Sequence, residues 1–253
     1  MRQAAARIAG EVHHTPVLSS LTLGNRVGVD LFLKCENLQK TGSFKQRGAL
    51  NRVLSLSDEE RRCGLITVSA GNHAQAVAWV ALRVGAPCAV VMPAEAPHSK
   101  IEAVRGYGAE VIFHDDRATL FDRLNQEKEK RGSSFVHPFD DAVVLAGAGD
   151  SGLEIVEDCP DVDVVIVPVG GGGLLGGVAS AVKGVKPKAK VIAVELEASP
   201  GLTPALEAGK PVPVARPSGT AAARKGPAGS GIQVVTLVSG GNIDLETICK
   251  VLA

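Results

Sequence analysis

The chain has 253 residues, 45% hydrophobic and 21% charged, which excludes overall disorder and lets it bury roughly 70–75% of its unfolded surface, as one large domain or two modest ones. Lys+Arg and Asp+Glu both number 27, so the charge balance gives no reason to expect nucleic acid or a membrane surface as partner and leaves a small ligand. Five cysteines, Cys35, Cys63, Cys88, Cys159 and Cys249, show no CxxC or metal-ligand spacing, and an odd count fits a reducing, cytoplasmic setting better than a disulfide framework.

The N-terminal "MRQAAARIAGEVHHTPVL" lacks a continuous apolar core, and no stretch approaches the ~20 apolar residues of a membrane span, so no targeting segment is expected. "DLFLKCE" (30–36) predicts a short strand, and "SFKQRGALNRVLSLS" after it a helix with Ser43 as N-cap. "GLITVSA" (64–70) predicts a strand, followed by a helix, "GNHAQAVAWVALRVG", that ends at Gly85. "CAVVMP" (88–93) and "EVIFHD" (110–115) predict strands separated by the helix "HSKIEAVRGYG", and "LFDRLNQEKEKRG" predicts a polar, solvent-facing helix. "DVVIVPV" (163–169), "KVIAVELE" (190–197) and "QVVTLVSG" (233–240) read as buried, Val-rich strands, and "GGGGLLGGVASAVKGV" as a glycine turn entering a helix. Strands alternating with helices predict the α/β class, built on parallel sheets covered on both faces. From Ser199 to Gly231 the pattern stops: six prolines and six glycines leave room for one short helix near "TPALEAG".

Three glycine-rich strand ends and one lysine carry the chemical content. Gly170, Gly171, Gly172 and Gly173 follow a strand and open a helix, so they offer bare backbone N–H groups to a phosphate, or form a tight turn for close helix–sheet packing. "SAGNHAQ" (69–75) holds the same position after another strand. Ser69 and Asn72 there either meet a ligand carboxylate or cap a helix, and His73 by itself reads as a packed or surface residue. "VSGGN" (238–242) places Ser239 at a third strand end. Lys45, in "KTGSFKQRGALN", lies either on a solvated helix face or, if the strand ends share a crevice, beside the ligand. An amine nucleophile together with a phosphate cradle suggests pyridoxal phosphate, whose aldehyde needs a lysine and whose phosphate needs a nest.

Five blocks in order, "KCENLQKTGSFKQRGALN", "SAGNHAQAVAW", "HPFDD", "VPVGGGGLLGGVA" and "LVSGGNID", resemble the fold type II pyridoxal-phosphate enzymes, and within them the catabolic serine/threonine dehydratases. The resemblance spans roughly residues 10–198 and 233–250. It implies two α/β subdomains of the tryptophan synthase β-like kind, a large one at 1–52 and 143–253 and a small one at 53–142, with the cofactor between them. It implies that Lys45 bonds to the cofactor beside Phe44, that Asn72 meets the ring hydroxyl, that Gly170, Gly171, Gly172, Gly173 and Leu174 hold the phosphate, and that Ser239 faces the ring nitrogen. Ser69, Ala70, Gly71, Asn72 and His73 would grip the substrate carboxylate.

The activity so implied is elimination of the β-hydroxyl of L-threonine or L-serine after α-proton abstraction, giving a 2-oxo acid and ammonia in a cytoplasmic homodimer. Lys45 would be the base, its pKa lowered by desolvation. Serine racemases share these blocks, but the serine they use as a second acid/base is Ala70 in this chain. Two departures stand out. Relatives carry a further strand and several helices where this chain has the Pro/Gly-rich stretch, so a shortened, non-catalytic cofactor binder is the alternative reading; "GTAAARKGPAG" is the only candidate remnant of the family's substrate-side blocks. Glu195 resembles the first ligand of a divalent-cation site, while Gly201 stands where an acidic partner is expected.

Overall fold

The computed structural model describes residues 1–196, 200–210, 212 and 231–242. The first described elements are α1 (Arg2–Ile8), β1 (Val17–Ser19), α2 (Leu21–Val27), β2 (Asp30–Lys34), α3 (Lys45–Leu54), α4 (Asp58–Cys63), β3 (Leu65–Val68) and α5 (Asn72–Val84). Then come β4 (Cys88–Pro93), α6 (His98–Gly106), β5 (Glu110–His114), α7 (Leu120–Arg131), β6 (Ser134–Phe135), α8 (Ala142–Ala148) and α9 (Asp150–Asp158). The last are β7 (Val164–Pro168), α10 (Gly173–Val185), β8 (Lys190–Val194), α11 (Leu202–Ala208) and β9 (Gln233–Leu237). The class is α/β, as the alternation of strand and helix patterns predicts, and α11 is the short helix expected at "TPALEAG". "GTAAARKGPAG", Cys249 and the end of "LVSGGNID" lie outside the described residues. Among the described residues no helix is long and apolar enough to cross a membrane.

The chain divides into two compact units. One comprises Met1–Ala6, His14–Glu36 and the described part of Phe139–Ser239; the other comprises Arg7–His13, Asn37–Pro138 and the described part of Gly240–Ala253. The first unit holds a sheet of order β1-β2-β9-β7-β8, parallel except for β1, which runs antiparallel to β2 with Val17 opposite Lys34. Three residues were too few to announce β1 in the sequence. The second unit holds a parallel sheet of order β5-β4-β3-β6. By packing, α3 goes with this second sheet; the inserted subdomain of residues 53–142 is a reading from the resemblance.

Alternation along β4 shows why the second sheet needs no polar face. Val90 and Met92 pack with Ala74, Ala78, Ile101 and Val104 of α5 and α6, while Ala89 and Val91 pack on the other face with Ile66, Ile112 and Leu124 of α7. Successive strand residues face opposite ways, so a continuous apolar run fits a sheet covered twice. Leu124 and Glu127 are the buried residues of the otherwise polar α7. The first sheet is covered less completely, and the Val-rich β8, an edge strand, has half-buried rather than buried side chains after Lys190.

The opening of α3 differs from expectation. The helix begins at Lys45 behind Phe44, with no side-chain cap, and Ser43 is instead buried, in an isolated antiparallel bridge to Gly240. Gln46, Arg47 and Asn51 are buried as well. Arg47 Nη2 donates to the His13 carbonyl at 3.0 Å and Asn51 accepts from Arg7 at 2.6 Å, while Ala49, Leu50 and Val53 pack against Ala76, Val77 and Val80 of α5. The polar sequence around Lys45 is therefore interior, which overturns the solvated-face reading.

The first unit buries a lysine of its own. Lys34, at the end of β2, has no solvent exposure and lies 2.6 Å from Glu154 and 3.4 Å from Asp158, donating also to the Thr15 carbonyl at 2.6 Å. Removing one member of such a buried set leaves desolvated charge behind. We expect Lys34→Met to lower stability by about 3 kcal/mol in urea unfolding, whereas Arg83→Ala, which breaks the exposed pair with Glu11, should leave the midpoint nearly unchanged.

Candidate functional site

The second unit gathers its polar side chains at the carboxyl ends of β3 and β6, where an open parallel sheet presents its loops. Parallel pairing continues past β6, with Val136 N–H donating to the Ile66 carbonyl at 3.0 Å. The Val136 carbonyl accepts from Thr67 Oγ1 at 2.9 Å and from His73 Nε2 at 3.0 Å. Two residues on, the Pro138 carbonyl accepts from Lys45 Nζ at 2.6 Å. Lys45 Nζ also lies 5.1 Å from the centre of the Phe44 ring.

These surroundings act on charge in a consistent way. Burial pulls the Lys45 amine down to about 8, and the first turn of a helix disfavours a cation too. Burial foremost, and then the Lys45 charge, pushes His73 down to about 3. His73 is therefore neutral, with its proton on the Nε2 that donates to Val136 and a bare Nδ1 that is buried without a partner among the described residues.

The "SAGN" turn does not act as a side-chain cap. Gly71 is the N-cap of α5 and makes no side-chain cap bond; Ser69 Oγ instead accepts from the Gly71 N–H at 3.1 Å. Ala70 packs against the apolar cluster of Ala74 and Val90. Asn72 is the first residue of α5, and its Oδ1 accepts from Asn242 Nδ2 at 3.0 Å. Asn242 and the carbonyls of Val136 and Pro138 are what sequence reasoning missed: "VSGGN" contains Asn242, "HPFDD" contains Pro138 and begins just after Val136, but only Ser239 was assigned a role there.

The first unit has two glycine-rich strand ends of its own. β7 and β9 are neighbours in parallel register, Ile166 opposite Thr236, so the glycine turn and Ser239 leave the same edge of that sheet. Gly172, the N-cap of α10, has φ of 82° and no side-chain cap follows. A Cβ on Gly171 would overlap the Phe139 ring, and one on Gly173 would meet the Phe139 carbonyl at 3.0 Å. Close packing against Phe139 thus requires glycine at positions 171 and 173, as the tight-turn reading expects, and leaves no side chain there beside the first turn of α10. Gly170 and Gly171 are exposed and Leu174 is buried. The Ser239 hydroxyl has no hydrogen-bond partner among the described residues.

Glu195 serves another end. Its carboxylate accepts from the N–H groups of Gly201 and Leu202 at 2.9 and 2.8 Å, bonds that hold it below the ordinary carboxylate range, with Leu202 the largest cause. Among the described residues no group of three or more His, Cys, Asp or Glu could hold a metal ion.

Taken unit by unit, the Lys45 amine and the Asn72 amide of the second are chemically suited to the aldehyde and ring hydroxyl of pyridoxal phosphate, and the uncapped glycine turn that opens the 13-residue α10 of the first is suited to its phosphate. Fold and side chains together define an α/β protein equipped for lysine-based cofactor chemistry. The chain belongs to the pyridoxal-phosphate dependent enzyme family, which matches residues 8–247, and its fold is of type II. It is 47% identical over 214 residues to the L-threonine ammonia-lyase of Thermotoga maritima, covering 83% of this chain and 53% of that protein. It is 43% identical to the catabolic L-threonine dehydratase TdcB of Escherichia coli K12, covering 87% and 67%. The solved structure of maize serine racemase superposes with a TM-score of 0.89 at 30% identity, covering 99% of this chain and 95% of that one. The chain spans about half the length of the Thermotoga relative.

The electrostatics of Lys45 can be measured without any substrate. Reductive methylation of the cofactor-free protein across a pH series, followed by peptide mass spectrometry, should give Lys45 a reactivity midpoint near 8, below the ~10.4 of exposed lysines. A midpoint level with the other lysines would show that its amine is hydrated.

Proposed function

We propose that this protein is a pyridoxal-phosphate-dependent ammonia-lyase that converts L-threonine, and L-serine, to a 2-oxo acid and ammonia. The observation that carries the reading is the half-buried Lys45, whose amine donates to a neutral carbonyl at 2.6 Å; the names of the ammonia-lyase relatives support the substrate class. Bound pyridoxal phosphate draws electrons from the α-carbon of an amino acid joined to it through the amine.

The chain's residues supply the rest. The N–H groups of Gly170, Gly171, Gly172, Gly173 and Leu174 bind the phosphate at the positive end of α10. Asn72 donates to the ring hydroxyl, and Ser239 faces the ring nitrogen with a hydroxyl rather than a carboxylate, which moderates the electron demand and favours β-elimination. The turn of Ser69, Ala70, Gly71, Asn72 and His73 turns the start of α5 towards the substrate carboxylate. Phe44 shields Lys45 from water, and Lys45 Nζ, about half neutral near pH 8, takes the α-proton. The neutral His73 adds no charge that would hold that proton elsewhere. A cytoplasmic homodimer is part of the same reading.

Racemisation is the second reading, favoured by the likeness to maize serine racemase. Ala70 counts against it, because an alanine packed on an apolar cluster transfers no proton to the opposite face of the substrate.

Purified protein supplied with pyridoxal phosphate and L-threonine should release 2-oxobutyrate, and Lys45→Ala should abolish release. Folded, cofactor-loaded protein that produces neither 2-oxobutyrate nor pyruvate would leave the non-catalytic binder as the better account. Chiral analysis finding D-serine formed from L-serine would move the assignment to racemase.

A further inference from the structure

Asn242 follows two glycines just beyond Ser239, and its amide touches three parts of the second unit. Its Nδ2 donates to the Thr41 carbonyl at 2.8 Å and to Asn72 Oδ1 at 3.0 Å. Its side chain fills the space a Cβ on Gly42 would need, at a glycine with φ of 69°. Its own carbonyl accepts from Lys100 Nζ at 2.6 Å, and the Gly241 N–H donates to the Gly42 carbonyl at 3.0 Å. The residue is thus clamped on both sides.

The clamp carries directional information. A backbone carbonyl can only accept, so the end of the Asn242 amide that faces Thr41 must be its NH2 group. The second hydrogen of that NH2 points at Asn72, which must answer with its carbonyl oxygen. Asn72 is left with its Nδ2 turned the other way, 2.9 Å from where a Cβ on Gly240 would stand, and with no acceptor for it among the described residues. A relay of two amides therefore converts one fixed backbone carbonyl into one fixed donor.

We propose that Asn242 is a positioning residue that sets the polarity of Asn72, so that the cofactor's ring oxygen meets an N–H and never a carbonyl. This rests on the reading above in which Asn72 binds the cofactor. Asn242→Asp tests it with almost no change of shape. A carboxylate cannot donate to Thr41 and draws the Asn72 NH2 towards itself, which turns the Asn72 carbonyl to the cofactor.

The experiment measures the pyridoxal-phosphate dissociation constant and the visible absorption band of the bound cofactor for the full chain, Asn72→Ala, Asn242→Asp and the double variant, with thermal unfolding of each cofactor-free form. Asn242→Asp should bind the cofactor about tenfold more weakly, the scale of one lost hydrogen bond with a misdirected partner, and shift the band as Asn72→Ala does. The double variant should bind no more weakly than Asn72→Ala alone, because the relay has nothing left to orient. Should Asn242→Asp fail to fold, Asn242→Ala replaces it, with a loss of about threefold that likewise vanishes in the Asn72→Ala background. Wild-type affinity in a folded Asn242 variant, or losses that multiply in the double variant, would overturn the proposal. An unmodified chain that takes no cofactor, or an Asn72→Ala indistinguishable from it, removes the Asn72–cofactor reading and this proposal with it.

Discussion

Parallel pairing between β3 and β6 is the constraint on which the polar side of the second unit depends. A parallel ladder ends with carbonyls that have no further strand to accept, and here those of Val136 and Pro138 take up His73 and Lys45 at 3.0 and 2.6 Å. His73 is buried and Lys45 half-buried, and a buried donor without an acceptor would cost roughly 1–3 kcal/mol. The same two carbonyls thus make it tolerable to bring an imidazole and an amine out of water. The buried polar face of α3 follows the same logic, with Arg47 and Asn51 each tied to a partner around residues 7–13.

The first unit reaches a related end by other means. Phe139 occupies the space beside Gly171 and Gly173, and packing alone would require glycine there. Yet the absence of side chains is also what leaves the first turn of α10 able to face an anion. Among the described residues, groups without a partner remain in each unit: the Ser239 hydroxyl in the first, the Asn72 Nδ2 and the bare His73 Nδ1 in the second.

Much of this was legible in the sequence, and the reasons for the rest are physical. Long apolar runs such as "CAVVMP" and "DVVIVPV" announced β4 and β7 because a doubly covered strand has no polar residues to interrupt it. Strands β1 and β6, of three and two residues, are too short to show a period, and β6 is held by register with β3 rather than by its own pattern. Ser43 looked like a cap because capping chemistry is local; its burial against Gly240 depends on a segment almost two hundred positions away, which no local pattern encodes. The candidate residues Asn72 and Ser239 were visible as residue types at strand ends, and Lys45 as one at a helix start. The acceptors that govern Lys45 and His73 were not, because a backbone carbonyl carries no signature in residue identity.

The choice of acceptor for Lys45 bears directly on what the lysine can do. A carboxylate at the same distance would stabilise the ammonium form and raise the pKa, so that the proton stays on the amine near neutrality. A carbonyl satisfies the N–H geometry without a full negative charge, which leaves desolvation free to pull the amine down to about 8. The neighbouring histidine is likewise held neutral by burial rather than paired with a carboxylate. Charge is absent from the immediate acceptors of both groups, while the ion-paired Lys34 in the other unit shows the opposite design in the same chain. Lys45, placed against a dipole, has an amine whose proton burial makes easier to remove; Lys34, placed against charges, holds strand and helices together as an ammonium.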